Sequence, residues 1–256
     1  PYGVDYGWTD EIAPPEAGLV KPDDARRIGV NLLAYVLAYY RVGRIQSVPV
    51  VFNETDPGPP EIAIAQLVHN GDWDPGVSDL SFLLRAVREQ TSGAVQYKRA
   101  AIAPEDAGLF EYPFVYLTGQ SDFRLSDRAR ENLRAYLERG GFLFIVNAAH
   151  WAEFDRAVRR EIQAILPGRT LQPLAGDHPI FSAHNDAPVQ PALRGPEPHL
   201  GVAVEGVEID GATAVVYAPL GLGAAWQNIE LPYVAAPESE YALALGVNTV
   251  VYAMTH

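Results

Sequence analysis

The side chains able to attack, move a proton or hold a metal gather in three stretches of this chain. Thr118, Gln120 and Asp122 follow the apolar run Phe114–Leu117, Asn147 and His150 follow the apolar run Phe142–Val146, and Asp177, His178 and His184 stand around Pro179. An imidazole near a carboxylate can serve as a general base or share a metal. Asp122, His150, Asp177 and His178 are therefore the candidate catalytic groups, and Thr118, Gln120 and Asn147 the candidate ligand-binding groups. Each has a plainer reading. His150 suits a helix start or a buried hydrogen-bonding position. His178 precedes a proline, which holds it extended, points Asp177 and His178 apart and suits a turn anchor. No His-x-x-x-His or comparable spacing accompanies them, so no metal is assigned. Arg156 and Arg160, one helical turn apart, either bind an anion or pair with Asp155 and Glu161. Gly221-Leu222-Gly223 lacks the strand-to-helix setting and the lysine of a phosphate loop, and no nucleotide or other cofactor is expected.

Composition removes several chemistries. The chain has no cysteine, which excludes disulfides, zinc–thiolate and iron–sulfur sites and thiol nucleophiles, thiol-dependent amidotransfer included. Its 19 basic residues face 32 acidic ones, a net charge of −13, and that field repels nucleic acid and anionic membrane surfaces. With 256 residues, 48% of them apolar, the chain can bury one main core and carry an extension.

The elements that must position these residues follow an α/β rhythm. Strands are expected at Ile62–Val68, Val95–Ile102, Phe114–Leu117 and Phe142–Val146, with helices at Val77–Gln90, Ser126–Arg139 and Trp151–Leu166 between and after them. Ser126 starts its helix and Gly140-Gly141 stops it. The continuous apolar character of the strands predicts a mostly parallel sheet covered on both faces, with Phe114–Leu117 and Phe142–Val146 as inner neighbours. Ligands in such sheets sit at the carboxyl ends of the strands, which brings Gln120, Asp122, Asn147 and His150 toward one cleft. Ala187–Pro198 holds four prolines and reads as a loop. Val202–Ile209 and Ala212–Ala218 form a hairpin around Asp210-Gly211, and a helix from Glu238 to Met254 closes the chain.

The start of the chain reads separately, as an arm and apolar helix over residues 1–46 ahead of an α/β domain over 47–256. The first twenty residues form an irregular arm; Pro22, Asp23 and Asp24 then begin a helix that runs to Tyr40. Between Val30 and Tyr40 only Asn31 is polar, so this helix needs covering on more than one side, yet it is too short to span a bilayer. Leu32, Leu33, Val36, Leu37 and Tyr40 are the expected contact residues for a protein partner or a second copy. Phe52–Glu61, rich in proline and glycine, is the expected connector. Gly29-Val30-Asn31 followed by Tyr35 echoes Gly246-Val247-Asn248 followed by Tyr252, either by chance or because the helix closes another module or pairs with the last one. The sequence begins at Pro1 and its one methionine is Met254, which a cleaved secretory signal peptide or a proteolytic fragment would explain; a processed N-terminus and a periplasmic or secreted location are the expectation.

The runs GDWDP (Gly71–Pro75), LFEYPFVYLTGQSDFRLSD (Leu109–Asp127), LRAYLERGGFLF (Leu133–Phe144), FDRAVRREIQAILP (Phe154–Pro167), DHPIF (Asp177–Phe181) and LGVNTVVYAM (Leu245–Met254) together resemble the bacterial DUF4159 family, from about Ile62 onward. The resemblance implies a three-layer, flavodoxin-like fold of the class I glutamine amidotransferase kind and no known reaction. Many relatives are exported or membrane-associated. This chain departs from the family pattern at Gln120, where relatives carry histidine, at Asn147-Ala148-Ala149-His150, where acids or a cysteine are common, and at Gly221-Leu222-Gly223-Ala224-Ala225-Trp226, where relatives often read Asp-Leu-Gly-Cys-Gly-Trp. Each change deletes a reactive group. An amidotransferase-like fold would place its nucleophile elbow between Phe142 and Phe154, and that turn holds no serine or cysteine.

Two functional expectations follow. The first is a non-catalytic binding or assembly module, a subunit of an exported or membrane-associated complex. The second is an extracytoplasmic hydrolase, metal-assisted or not, acting on a glycan or peptide through Asp122, His150, Asp177 and His178.

Overall fold

The computed structural model describes residues 21, 23–32, 34, 61–76, 78–91, 96–189, 191–195, 200–229 and 234–255. The chain divides into two units, Pro1–Val48 and Pro49–His256. In the first, helix α1 is described over residues 23–32 and 34. Leu33, Val36, Leu37 and Tyr40, the arm before Lys21 and the connector up to residue 60 lie outside the described residues.

In the second unit seven strands form one sheet in the order β2-β1-β3-β4-β8-β7-β5. They are β1 (Glu61–Leu67), β2 (Gln96–Ile102), β3 (Phe114–Gly119), β4 (Phe142–Asn147), β5 (Gln172–Pro173), β7 (Glu205–Ile209) and β8 (Ala212–Ala218). The strands from β2 across to β8 run parallel, while β7 lies antiparallel to both β8 and β5. Read in chain order, the parallel strands stand 2-1-3-4-5, the flavodoxin-like order. Helices α2 (Asp79–Gln90), α5 (Leu222–Trp226) and α6 (Ser239–Thr255) cover one face, and α3 (Asp127–Glu138) and α4 (Ala152–Ile165) the other. The fold is thus a three-layer αβα sandwich.

The two-residue period of the strands sorts the core. Phe114, Tyr116, Phe142, Phe144 and Val146 join the layer of α2, α5 and α6, whereas Val115, Leu117, Leu143 and Ile145 join that of α3 and α4. Both β3 and β4 are buried at every position, because a parallel strand covered on both faces has no solvent side. Ser126 caps α3 by accepting the Ala129 N–H at 3.1 Å, and Gly140 ends it in the left-handed region at φ +90°. Asp210 and Gly211, at φ 52° and 86°, make the two-residue turn joining β7 to β8.

Two expectations change. The proline-rich stretch after Ala187 is not wholly loop: β6 (Leu193–Arg194) pairs with β9 (Ala236–Pro237). Gly221-Leu222-Gly223 does stand between a parallel strand and a helix, since β8 leads straight into α5. That helix is a single buried turn, which periodicity over so few residues does not reveal.

Candidate functional site

β1 connects to β2 on one side of the sheet and β3 lies on its other side, so the strand order reverses at the carboxyl ends of β1 and β3. Sheets of this kind bind ligands at that reversal. The loops leaving it are tied to each other. Gln120 Nε2 donates to Asp72 Oδ2 at 2.5 Å, the Asp72 N–H donates to Ser121 Oγ at 3.2 Å, and the Arg124 N–H donates to Asn70 Oδ1 at 2.9 Å. His69 Nδ1 accepts the Gly71 N–H at 3.1 Å, which leaves the proton on Nε2 to be donated to the Thr118 carbonyl at 2.9 Å. Burial lowers the pKa of His69, consistent with a neutral ring that fastens the loop. Thr118 Oγ1 donates to the Val146 carbonyl at 2.9 Å. Asp122 is exposed and pairs with Arg160 at 3.0 Å; Arg160 also reaches Glu161, so it serves the ion-pair network on α4.

The turn from β4 to α4 lies beside these loops, with the Ala148 N–H donating to the Gly119 carbonyl at 3.0 Å. Asn147 closes it. Its Oδ1 accepts the Trp151 N–H at 3.0 Å and its Nδ2 donates to the Trp151 carbonyl at 2.9 Å. His150 sits fully buried in the left-handed region, at φ 57°. Its Nε2 accepts the Leu200 N–H at 3.2 Å, so Nδ1 carries the proton and donates it to the Pro219 carbonyl at 2.5 Å. Both ring nitrogens therefore have backbone partners.

Asp177 and His178 are elsewhere. His178 Nδ1 accepts the Ile180 N–H at 3.1 Å and Nε2 donates to Thr213 Oγ1 at 2.9 Å, while Asp177 is exposed. Thr213 is the second residue of β8 and Pro219, the partner of His150, follows its end. Six residues of extended chain separate these partners by about 20 Å. The sheet brings Thr118, Gln120, Asp122, Asn147 and His150 to one edge and leaves Asp177 and His178 at the opposite one.

A buried polar cluster that the sequence did not single out lies under the start of α2. Gln66 and Tyr116 are paired neighbours on β1 and β3. Gln66 Nε2 donates to the Trp73 carbonyl at 2.9 Å and to Asp74 Oδ1 at 3.2 Å, and Asp74 in turn meets Arg99 at 2.8 Å. Asp79, the first residue of α2, is buried and accepts from Gln227 Nε2. Gly76 and Gly223 close over it: a Cβ on Gly76 would stand 2.2 Å, and one on Gly223 1.9 Å, from its carboxylate oxygens. Burial, and then the charge of Asp74, push the Asp79 pKa up to about 7, against the opposing pull of Gln227 and Arg99. Gln66 Oε1, Ser78 Oγ and the Tyr116 hydroxyl are buried and have no hydrogen-bond partner among the described residues. Of these groups only Asp79 changes its protonation near neutrality, while burial pushes the Tyr116 hydroxyl well above its ordinary range. In sequence Asp79 looks like an ordinary acid at a helix start; only the approach of Gly223 and Gln227 from far along the chain buries it.

The profile of a family described as "Domain of unknown function (DUF4159)" matches residues 63–254. The chain belongs to the DUF4159 family. Among curated proteins none matches the chain. The match runs from β1 to α6 and so takes in the whole sheet of this DUF4159 domain, including the edge that carries His150 and the cluster around Asp79. The left-handed residue between β4 and α4 has the setting of a nucleophile elbow, but in this DUF4159 domain it is a histidine bonded through both nitrogens. At the β8–α5 turn the Gly221 N–H donates to the Ala235 carbonyl at 3.2 Å, and a Cβ on Gly221 would stand 2.4 Å from Val234. Among the described residues no group of three or more histidines and acids is placed to hold a metal ion, and no helix is long and apolar enough to cross a membrane.

Proposed function

We propose that this DUF4159 domain is a non-catalytic binding or assembly module, an amidotransferase-like scaffold that works as a subunit of an exported or membrane-associated bacterial complex. The observation that supports this reading is His150. It occupies the strained turn where a covalent catalyst would carry its attacking oxygen or sulfur, and it spends both ring nitrogens on the backbone. The hydrolase alternative is weaker because it needs Asp122, His150, Asp177 and His178 in one site, and the last two stand at the other edge of the sheet. Attachment falls to the segment ahead of the domain, through Leu32, Leu33, Val36, Leu37 and Tyr40; Leu32 is exposed.

Light scattering on the full chain, on a chain starting at Ser47 and on Leu32→Glu tests the attachment. The full chain is expected to self-associate with rising concentration and both altered chains to remain monomeric. A full chain that stays monomeric throughout removes the support for homo-assembly. Turnover of peptide or glycan substrates that is abolished by His150→Gln would overturn the non-catalytic reading.

A further inference from the structure

The echo between the two ends of the chain is longer than one helix, and the structure shows what its residues do. Pro219-x-Gly221-Leu222, Trp226, Ala242, Gly246-Val247-Asn248 and Tyr252 recur as Pro1-x-Gly3-Val4, Trp8, Ala25, Gly29-Val30-Asn31 and Tyr35. Spacing is kept within each block, and the loop between the blocks is one residue longer in the first copy. In the second copy most of these residues hold α5 and α6 to each other and to the turn, helix, loop and strand around them. The Pro219 carbonyl accepts from His150. Trp226 Nε1 donates to the Ala242 carbonyl at 2.8 Å. A Cβ on Gly246 would stand 2.5 Å from Leu83 of α2 and 3.1 Å from Trp226 Nε1. Asn248 Oδ1 accepts the backbone N–H groups of His184 and Asn185 at 3.0 and 2.7 Å, and its Nδ2 donates to the Asn185 carbonyl at 2.7 Å. The Tyr252 hydroxyl accepts the Thr213 N–H at 3.3 Å.

Glycine and asparagine are poor residues for the middle of an apolar helix. In α6 each is offset by a specific neighbour: a leucine and an indole against the glycine, and a loop backbone that uses every polar atom of the asparagine. A second stretch that repeats both, together with the preceding Pro-x-Gly and tryptophan, needs the same neighbours. An unrelated apolar partner supplies no reason for an asparagine at that position.

We infer that residues 1–37 are a second copy of the closing segment 219–254, and that the partner they fit is another α/β core of the DUF4159 kind. This deepens the attachment reading above, on which it rests only for the statement that the segment has a partner. The test is a graft within the full chain: residues 21–37 replace residues 238–254. Two controls carry the same graft with Gly29→Leu plus Asn31→Ala, or a scrambled helix of the same composition. Thermal unfolding of the native graft is expected to stay cooperative and within about 10 °C of the parent, a loss of a few kcal-scale contacts in a domain this size. Both controls are expected to fall well below it, and Asn31→Ala within the graft to lower the midpoint as far as Asn248→Ala does in the parent. A native graft no more stable than the scrambled helix, including the case in which neither folds, overturns the inference. A successful graft in a full chain that light scattering finds monomeric upholds the repeat while removing self-association as its use.

Discussion

At the residue scale, Asp79 illustrates how burial converts a common side chain into a sensitive one. Its folded-state pKa of about 7 lies above the ordinary aspartate value of 3.8, so the folded chain holds the proton more tightly than the unfolded chain does. Below pH 3.8 both states are protonated and Asp79 costs nothing. As pH rises toward 7 the unfolded state ionises first, stability falls, and the loss is complete above the folded pKa. At about 1.4 kcal/mol per pH unit the loss amounts to roughly 4 kcal/mol. Asp79→Asn is expected to leave urea stability unchanged at pH 3.5 and to raise it by about 2–4 kcal/mol at pH 8. An equal effect at both pH values would show that the proton is not the cause. His150 behaves differently, because its two backbone bonds join the β4–α4 turn to Pro219 and Leu200. His150→Ala removes them without relieving the left-handed backbone, and should cost about 2–4 kcal/mol in urea unfolding.

At the scale of elements, the long pieces follow from local chemistry and the short ones do not. β3 and β4 are read from unbroken apolar runs and α3 from its Ser126 cap and Gly140 stop, signals complete within a dozen residues. α5 spans five residues and rests on packing: Gly223 stands against Asp79, and Trp226 is anchored to α6. A methyl group at 223 would overlap the Asp79 carboxylate. Gly223→Ala is therefore expected to lower stability by about 1–3 kcal/mol and to abolish the pH dependence assigned to Asp79 by forcing the carboxylate out. Gly211→Ala, in the turn between β7 and β8 with open space around it, meets only the cost of its positive φ, about 1 kcal/mol. A larger loss at 211 than at 223 would contradict this ordering.

At the scale of the whole DUF4159 domain, protection should follow distance from the sheet edges. The central strands β1, β3, β4 and β8 have neighbours on both sides, and β3, β4 and nearly all of β8 are buried. Their amides are expected to exchange only by global unfolding, while those of β2 and β5 at the edges exchange by local opening. Hydrogen exchange with mass spectrometry would show it, and faster exchange in β4 than in β2 would mean that the sheet does not unfold as drawn. Sequence alone determined the αβα class, the run of strands and helices from β1 to α4, the β7–β8 hairpin and the absence of thiol chemistry, because hydrophobic period, capping residues and composition are local properties. It also held the matching residues from which a repeat of the closing segment is inferred, since such a match is a property of letters. Tertiary structure decided the environments. Gln66 and Tyr116 become neighbours only through the pairing of β1 with β3, Asp79 is buried only when Gly223 and Gln227 arrive from the far end of the chain, and His150 and His178 part only because β8 lies between their anchors. Charge state, free valence and distance between sites depend on contacts between residues from 35 to 148 positions apart, and no local pattern encodes them.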